Sequence, residues 1–178
     1  MPKVYYRIIF RFNLPEIVLK SRKTEYKNAF IDGKNKMEIN NYKTTILYAG
    51  DEFFIGTPPS GHAQILDTKG ERKSAPSPVE HLLVAVGGCT AADVISILLK
   101  KRQTITAYKV EVTGERRDEH PRAFTKFHIH HIVYGQNVSE QAVAQAIELS
   151  DTKYCSVAAT VRPTAEITTS FEIIETGI

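Results

Sequence analysis

The stretch Ser77–Arg102, with the sequence SPVEHLLVAVGGCTAADVISILLKKR, decides the fold of this 178-residue chain. Ser77 is a good helix N-cap, Pro78 suits the first helical position, and Glu80 stands where it can complete a capping box. After the first turn nearly every residue is apolar or small. A helix that is apolar on all sides is buried on all sides, so the stretch predicts a central helix. The basic residues that end it suit the negative end of the helix dipole.

Short runs rich in Thr, Ile, Tyr and Phe lie on both sides of this helix and are separated by turn residues. They predict strands at 41–48, 52–55 and 63–66 before it, and at 108–113, 123–134 and 165–174 after it. Ser139 caps a second predicted helix before the last strand. This order predicts an α+β fold with two helices packed on antiparallel sheet. Because one sheet covers only one face of an apolar helix, we expect a homodimer.

The bulk composition is that of a globular domain, with 42% hydrophobic and 24% charged residues. The apolar run around Cys89 is interrupted by Gly and by Asp93 and is predicted to be too short to span a bilayer. No secretory leader of the usual pattern opens the chain, and two cysteines are too few for a disulfide scaffold. We therefore expect a cytoplasmic protein without a membrane segment.

The positive charge is concentrated at the N-terminus. Residues 1–36 hold nine basic and three acidic residues, a net charge of +6, whereas the remaining 14 basic and 17 acidic residues give −3. The predicted domain therefore has no basic excess for nucleic acid. Because the regular strand pattern begins after Met37, we predict a single folded domain at 37–178, with 1–36 a possible non-native extension and Met37 the native start. A basic arm and a transit-like leader are the alternatives.

The cysteines are the chemically distinctive residues. Cys89 lies in the run Val-Gly-Gly-Cys-Thr, and Cys155 in Lys-Tyr-Cys-Ser-Val. A thiol attacks as the thiolate, which a helix N-terminus, a cation or a hydrogen-bond donor favours. A helix break at Gly87-Gly88 would give Cys89 free amide neighbours. The alternative is a packed, inert cysteine whose glycines allow close helix contact.

Other polar residues have structural and functional interpretations. Glu80 is either a capping-box residue or a proton-transfer group, and an unbroken helix would place it opposite Cys89. Asp93 shares the face of Cys89, where its charge would disfavour a thiolate. His128 and His130 share one strand face, which is only a weak metal signal.

Three segments resemble the OsmC/Ohr family. Ser77–Val94 resembles the surroundings of the family's first cysteine, and Lys153–Val157 those of its second. Residues 114–125, which include Gly-Glu-Arg-Arg and Pro-Arg-Ala-Phe-Thr, resemble its YhfA-like branch in particular. The resemblance covers roughly residue 42 to the C-terminus.

The resemblance implies an OsmC-like fold, an intertwined homodimer with antiparallel sheets flanking two central helices. It also implies thiol peroxidase activity on organic hydroperoxides, in oxidative-stress defence. By analogy, Cys89 attacks the peroxide and becomes a sulfenic acid, and Cys155 condenses with it to a disulfide. A dithiol reductant, lipoylated or thioredoxin-like, would restore both thiols. The resemblance adds Glu80 to the catalytic residues and implies no metal and no organic cofactor.

The chain departs from the peroxidase branches at two points. Their glutamate follows the proline directly, whereas Val79 intervenes here. Their activating arginine lies in the early strands, whereas residues 37–71 contain none. A non-catalytic dimeric protein that binds a small ligand, and a redox sensor of the same fold, therefore remain alternatives. The substitutes for the missing cation are Arg72, Arg116, Arg117, Arg122 and His62.

Overall fold

The computed structural model describes residues 42–177 of the chain, which hold six strands, three α-helices and one π-helical turn. The predicted extension 1–36, the start at Met37 and the predicted first strand residue Asn41 lie outside the described residues.

The N-terminal sheet is an antiparallel meander of three short strands. They are β1 (Thr45–Gly50), β2 (Phe53–Thr57) and β3 (Gln64–Asp67). Asp51 and Glu52 form the β1–β2 turn with φ angles of 45° and 61°. The predicted hairpin is confirmed, although β1 begins later than expected.

Helix α1 (Pro78–Lys100) follows and begins as the sequence predicts. The Glu80 amide donates to Ser77 Oγ at 3.3 Å, and the Ser77 amide donates to Glu80 Oε2 at 2.7 Å, so the capping box is complete. The helix continues for 23 residues without a break. Its inner face packs on β4 and α2, and three of its side chains are fully buried: Val86, Val94 and Leu98.

The C-terminal sheet has the strand order β4-β5-β6 and is mixed. β4 (Thr104–Arg116) pairs antiparallel with β5 (Phe124–Gln136), whereas β6 (Glu166–Glu175) pairs parallel with β5. The expectation of purely antiparallel sheets was therefore wrong for the last pair. The reason is the long connection between β5 and β6, which returns the chain to the starting edge as a crossover. It contains α2 (Glu140–Leu149), the π-turn (Ser150–Tyr154) and α3 (Ser156–Val161).

The core lies between α1, the crossover helices and the inner face of the C-terminal sheet. One cluster joins α1 to α2 around Val94 and Val143, and another joins α1 to β5 around Val86 and Phe127. Both clusters leave the opposite side of α1 uncovered.

The length of α1 corrects one expectation. With 23 residues and a mean hydropathy of 2.2 over its best window, α1 is long and apolar enough to span a membrane. The prediction that this run is too short was therefore wrong, because the glycines and Asp93 do not interrupt the helix. Length and composition alone do not separate a membrane span from a core helix. Only 28% of that window is buried within one chain.

Candidate functional site: a dithiol beside a carboxylate

Cys89 lies in the middle of α1 and is half-buried. The predicted kink at Gly87-Gly88 is absent, so the expectation of free amide groups beside Cys89 was wrong. The two glycines have different surroundings. A Cβ at Gly87 would lie 2.8 Å from Val112 Cγ2, whereas a Cβ at Gly88 would meet nothing within 4 Å. Gly87 therefore allows α1 to approach β4, as the packing alternative predicted, and Gly88 lies on the exposed side of α1.

Cys155 lies between the π-turn and α3 and is 4% exposed. Its amide donates to the Ser150 carbonyl at 2.9 Å and closes the π-turn. Its sulfur caps α3 by accepting the Ala158 amide at 3.3 Å. π-Turns are rare and often occur at functional sites, because the extra residue redirects the chain. Here the turn directs Cys155 back toward α1.

The fold brings the two cysteines together. Both are free thiols, and Cys89 Sγ, Cys155 Sγ and an Asp93 carboxylate oxygen all lie within 4.8 Å of one another. Asp93 follows Cys89 by one helical turn, so both side chains lie on one face of α1. The sequence predicted this shared face for Asp93, but it did not predict the distance between the cysteines.

Two buried hydroxyl groups support this cluster. Ser150 Oγ donates to Asp93 Oδ2 at 3.1 Å. Thr90 Oγ1 lies 3.1 Å from Ser150 Oγ, and because the Ser150 proton goes to Asp93, Thr90 is the donor of this second bond. Neither hydroxyl was predicted to belong to the site, although each residue lies in or near a cysteine motif. These two hydrogen bonds, from Thr90 to Ser150 and from Ser150 to Asp93, fix the orientation of the carboxylate beside the thiols.

The surroundings of Cys155 keep its thiol protonated. Burial raises the pKa of Cys155 to about 11, helped by a hydrogen bond with Cys89 and the nearby Asp93 charge, while the Ala158 amide opposes the shift. At neutral pH this cysteine is therefore a poor nucleophile. The half-buried Cys89 is the sulfur that solvent and ligands can reach.

Glu80 is not part of the cysteine cluster. Its carboxylate is bound by the Ser77 amide and hydroxyl, and these hydrogen bonds lower the pKa of Glu80. Nine residues of straight helix place it on the face opposite Cys89 and about 13 Å along the axis. Within one chain, the structure supports the capping interpretation of Glu80.

The proposed substitutes for the missing arginine bind elsewhere in the described chain. Arg72 holds the turn of the N-terminal sheet through Asp67 and Asp51. The other three arginines donate to backbone carbonyls around the β4–β5 connection, and His62 is exposed. These three are Arg116, Arg117 and Arg122.

His128 and His130 share one strand face, as predicted, and both bind hydroxyl groups of β6. His130 also lies 3.5 Å from Glu172. The opposite face of β5 holds a residue whose environment the sequence did not reveal. His131 is fully buried there, with Nδ1 2.6 Å from the Tyr108 hydroxyl.

Comparisons with known proteins agree with this architecture. The family model "OsmC-like protein" matches residues 70–170. Protein YhfA of Escherichia coli K12 is 46% identical over 121 residues, which cover 68% of this chain and 90% of YhfA. A hypothetical protein from Aquifex aeolicus is 29% identical with a TM-score of 0.70, and the match covers 78% of this chain and all of that one.

More distant structures share the fold alone. An organic hydroperoxide resistance protein from Elizabethkingia anophelis has a TM-score of 0.58 at 11% identity, with 75% of this chain and 96% of that chain covered. The fold and the site thus define an α+β protein with a pair of free thiols at its central helix. The chain belongs to the OsmC-like family.

Proposed function

We propose that this protein is a thiol-dependent peroxidase that reduces organic hydroperoxides through Cys89 and Cys155. The observation that carries the proposal is the convergence of the only two cysteines, 66 residues apart in sequence, to within 4.8 Å. A disulfide has an S–S length of about 2.05 Å, so its formation requires the sulfurs to approach by less than about 3 Å.

The environments of the sulfurs suggest their roles. Cys89 is the more exposed of the two. Cys155 is buried, and its raised pKa keeps it as a thiol at neutral pH. We assign the attack on peroxide to Cys89 and the resolution of the oxidised product to Cys155, as the family resemblance implies.

The proposed cycle balances in three steps. The Cys89 thiolate attacks one peroxide oxygen, the O–O bond breaks, and protonation of the leaving alkoxide yields an alcohol and a Cys89 sulfenic acid. The Cys155 thiol then displaces the sulfenic hydroxyl, which leaves as water while the S–S bond forms. A dithiol reductant, lipoylated or thioredoxin-like, exchanges with this disulfide and is oxidised in turn.

We further propose that the working form is a cytoplasmic homodimer. The exposed face of α1 includes Val84, which is 68% exposed, and Leu99, which is 58% exposed. Solved structures with the same fold include organic hydroperoxide resistance proteins. Since the candidate arginines of this chain bind elsewhere, we assign the group that favours the Cys89 thiolate to the second subunit. Glu80 contributes to catalysis in this proposal only by holding the start of α1.

The test is oxidation of the reduced protein by cumene hydroperoxide, followed by mass spectrometry. We expect one Cys89–Cys155 disulfide per chain, and a trappable sulfenic acid at Cys89 in Cys155→Ser. Cys89→Ser should not react, and Glu148→Gln serves as a surface control. If neither cysteine of the wild type oxidises faster than free cysteine, the proposal fails.

A redox sensor is the second candidate function, because the candidate arginines for activating Cys89 bind elsewhere among residues 42–177. A sensor would form the same disulfide once but would not turn over with a reductant. Peroxide consumption in the presence of excess dihydrolipoamide separates the two, because only a peroxidase consumes many equivalents per chain. A ligand-binding protein of the same fold would retain its ligand after Cys89→Ser.

A further inference from the structure

The group of Cys89, Asp93 and Cys155 contains a feature that peroxide chemistry does not use. The sulfur attack needs a thiolate, and a carboxylate next to it disfavours that charge. Asp93 nevertheless lies within 4.8 Å of both sulfurs, and no salt bridge neutralises it among residues 42–177. Two thiols and a carboxylate are, however, an effective ligand set for a soft cation.

The geometry of the three side chains suits a tetrahedral ion. Ligands at about 2.3 Å for sulfur and about 2.0 Å for oxygen lie roughly 3.5 to 3.8 Å apart in a tetrahedron. Since no pair of these atoms is more than 4.8 Å apart, no pair has to close by more than about 1.3 Å. Cys89 and Asp93 are fixed one turn apart on α1, and Cys155 comes from a separate element, so the three ligands surround one point.

The hydroxyl groups described above provide the outer hydrogen bonds of such a site. Ser150 binds Asp93 Oδ2, and no hydrogen bond to the other carboxylate oxygen is present within the described chain. A fixed, hydrogen-bonded carboxylate binds a metal better than a free one. The half-buried position of Cys89 leaves room for a fourth ligand, such as water.

We propose that Cys89, Asp93 and Cys155 of the reduced protein form a three-ligand site for a thiophilic divalent cation of the Zn²⁺ type. Each cysteine loses a proton to solvent as it binds, and no electron is transferred. Mg²⁺ and Ca²⁺ are excluded by the two sulfur ligands. Because the same sulfurs form the disulfide, metal binding and oxidation exclude each other.

The proposal depends on the positions of the two sulfurs and not on peroxidase activity. Its test therefore measures metal binding alone. Zn²⁺ is titrated into the reduced, metal-free full chain in competition with a chromophoric chelator. We expect one Zn²⁺ per chain, and no binding after the disulfide is formed with diamide. Co²⁺ in place of Zn²⁺ should give thiolate charge-transfer absorption.

The variants separate this site from other binding. Asp93→Asn should weaken Zn²⁺ at least tenfold, and Cys155→Ser should abolish the Co²⁺ charge-transfer band, whereas Glu148→Gln should change neither. Circular dichroism checks that each variant is folded, and Cys155→Ser remains decisive if Asp93→Asn does not fold. Binding that persists in the disulfide form, or an Asp93→Asn variant with wild-type affinity, would overturn the proposal. Absence of saturable binding would do the same, whatever the peroxide assay shows.

Discussion

His131 shows how a single buried side chain links the stability of this fold to pH. It lies on the inner face of β5 with no exposed surface, and its Nε2 has no hydrogen-bond partner among the described residues. Burial lowers the pKa of His131 from 6.5 to about 4, with a smaller effect from His130. The unfolded chain therefore takes up a proton between these two pH values that the folded chain does not.

We predict that the free energy of unfolding falls as the pH is lowered from 6.5 to about 4. Below about pH 4, His131 should cause no further change in this free energy. The full loss is at most about 3 kcal/mol, at 1.36 kcal/mol for each pH unit of the shift. Urea unfolding at pH 7.0, 6.0, 5.0 and 4.5 measures it. Asp67 titrates below this window, since Arg72 lowers the pKa of Asp67 to about 2.

The matched variants for this prediction are His131→Gln and His62→Gln. The first removes the buried titrating group and should flatten the pH dependence between 6.5 and 4. The second removes an exposed histidine and should leave the dependence unchanged. An equal slope in wild type and His131→Gln would show that other groups cause the acid sensitivity.

Single residues also show what the sequence can and cannot predict about the site. The chemical character of both cysteines and the shared face of Cys89 and Asp93 follow from residue type and helical spacing. The convergence of Cys89 and Cys155 does not, because it depends on a π-turn and a parallel crossover that no local pattern encodes. The role of Glu80 was open between capping and catalysis, and only the hydrogen bonds to Ser77 distinguish them within one chain.

Secondary structure elements were predictable where local chemistry determines their ends. Ser77 and Ser139 cap α1 and α2 as their types suggest, and the hairpin at Asp51 forms where the turn residues stand. The direction of β6 was not predictable, because a Thr-rich strand pairs equally well in either direction. The kink in α1 was wrongly expected, because packing against β4 offsets the low helix propensity of two glycines.

At the scale of the helix, Gly87 and Gly88 form a natural pair of test positions. Alanine at either residue gains about 1 kcal/mol of helix propensity. At Gly87 the new Cβ would lie 2.8 Å from Val112 Cγ2, and overpacking of this kind costs about 1–3 kcal/mol. We predict that Gly87→Ala is less stable than Gly88→Ala by about 1–3 kcal/mol in denaturant unfolding. Equal stabilities would mean that α1 does not approach β4 as closely as described.

At the scale of the molecule, we assign the interface of the proposed homodimer to the exposed face of α1. Between Glu80 and Lys100, which are also exposed, the exposed positions of α1 are apolar or small apart from one serine. They are Val84, Ala85, Gly88, Ala92, Ser96 and Leu99. Such a continuous apolar stripe is rare on a soluble monomer and typical of a helix that packs on a second helix. A second copy of α1 across a twofold axis would cover it with its own equivalent stripe.

We predict that Val84→Lys dissociates the homodimer, because the interface would have to bury an unpaired ammonium group. The cost of several kcal/mol raises the dissociation constant at least a hundredfold. Light scattering over a concentration series should give twice the chain mass of 20.0 kDa for the wild type and the single-chain mass for the variant. Glu148→Lys, on the surface of α2, is the matched charge control and should remain dimeric.

If the second subunit supplies the group that activates Cys89, the monomeric variant should also lose at least tenfold in the rate of Cys89 oxidation by cumene hydroperoxide while its fold persists. A dimer that survives Val84→Lys would place the interface elsewhere, and a monomer that keeps the full oxidation rate would show that one chain activates its own sulfur.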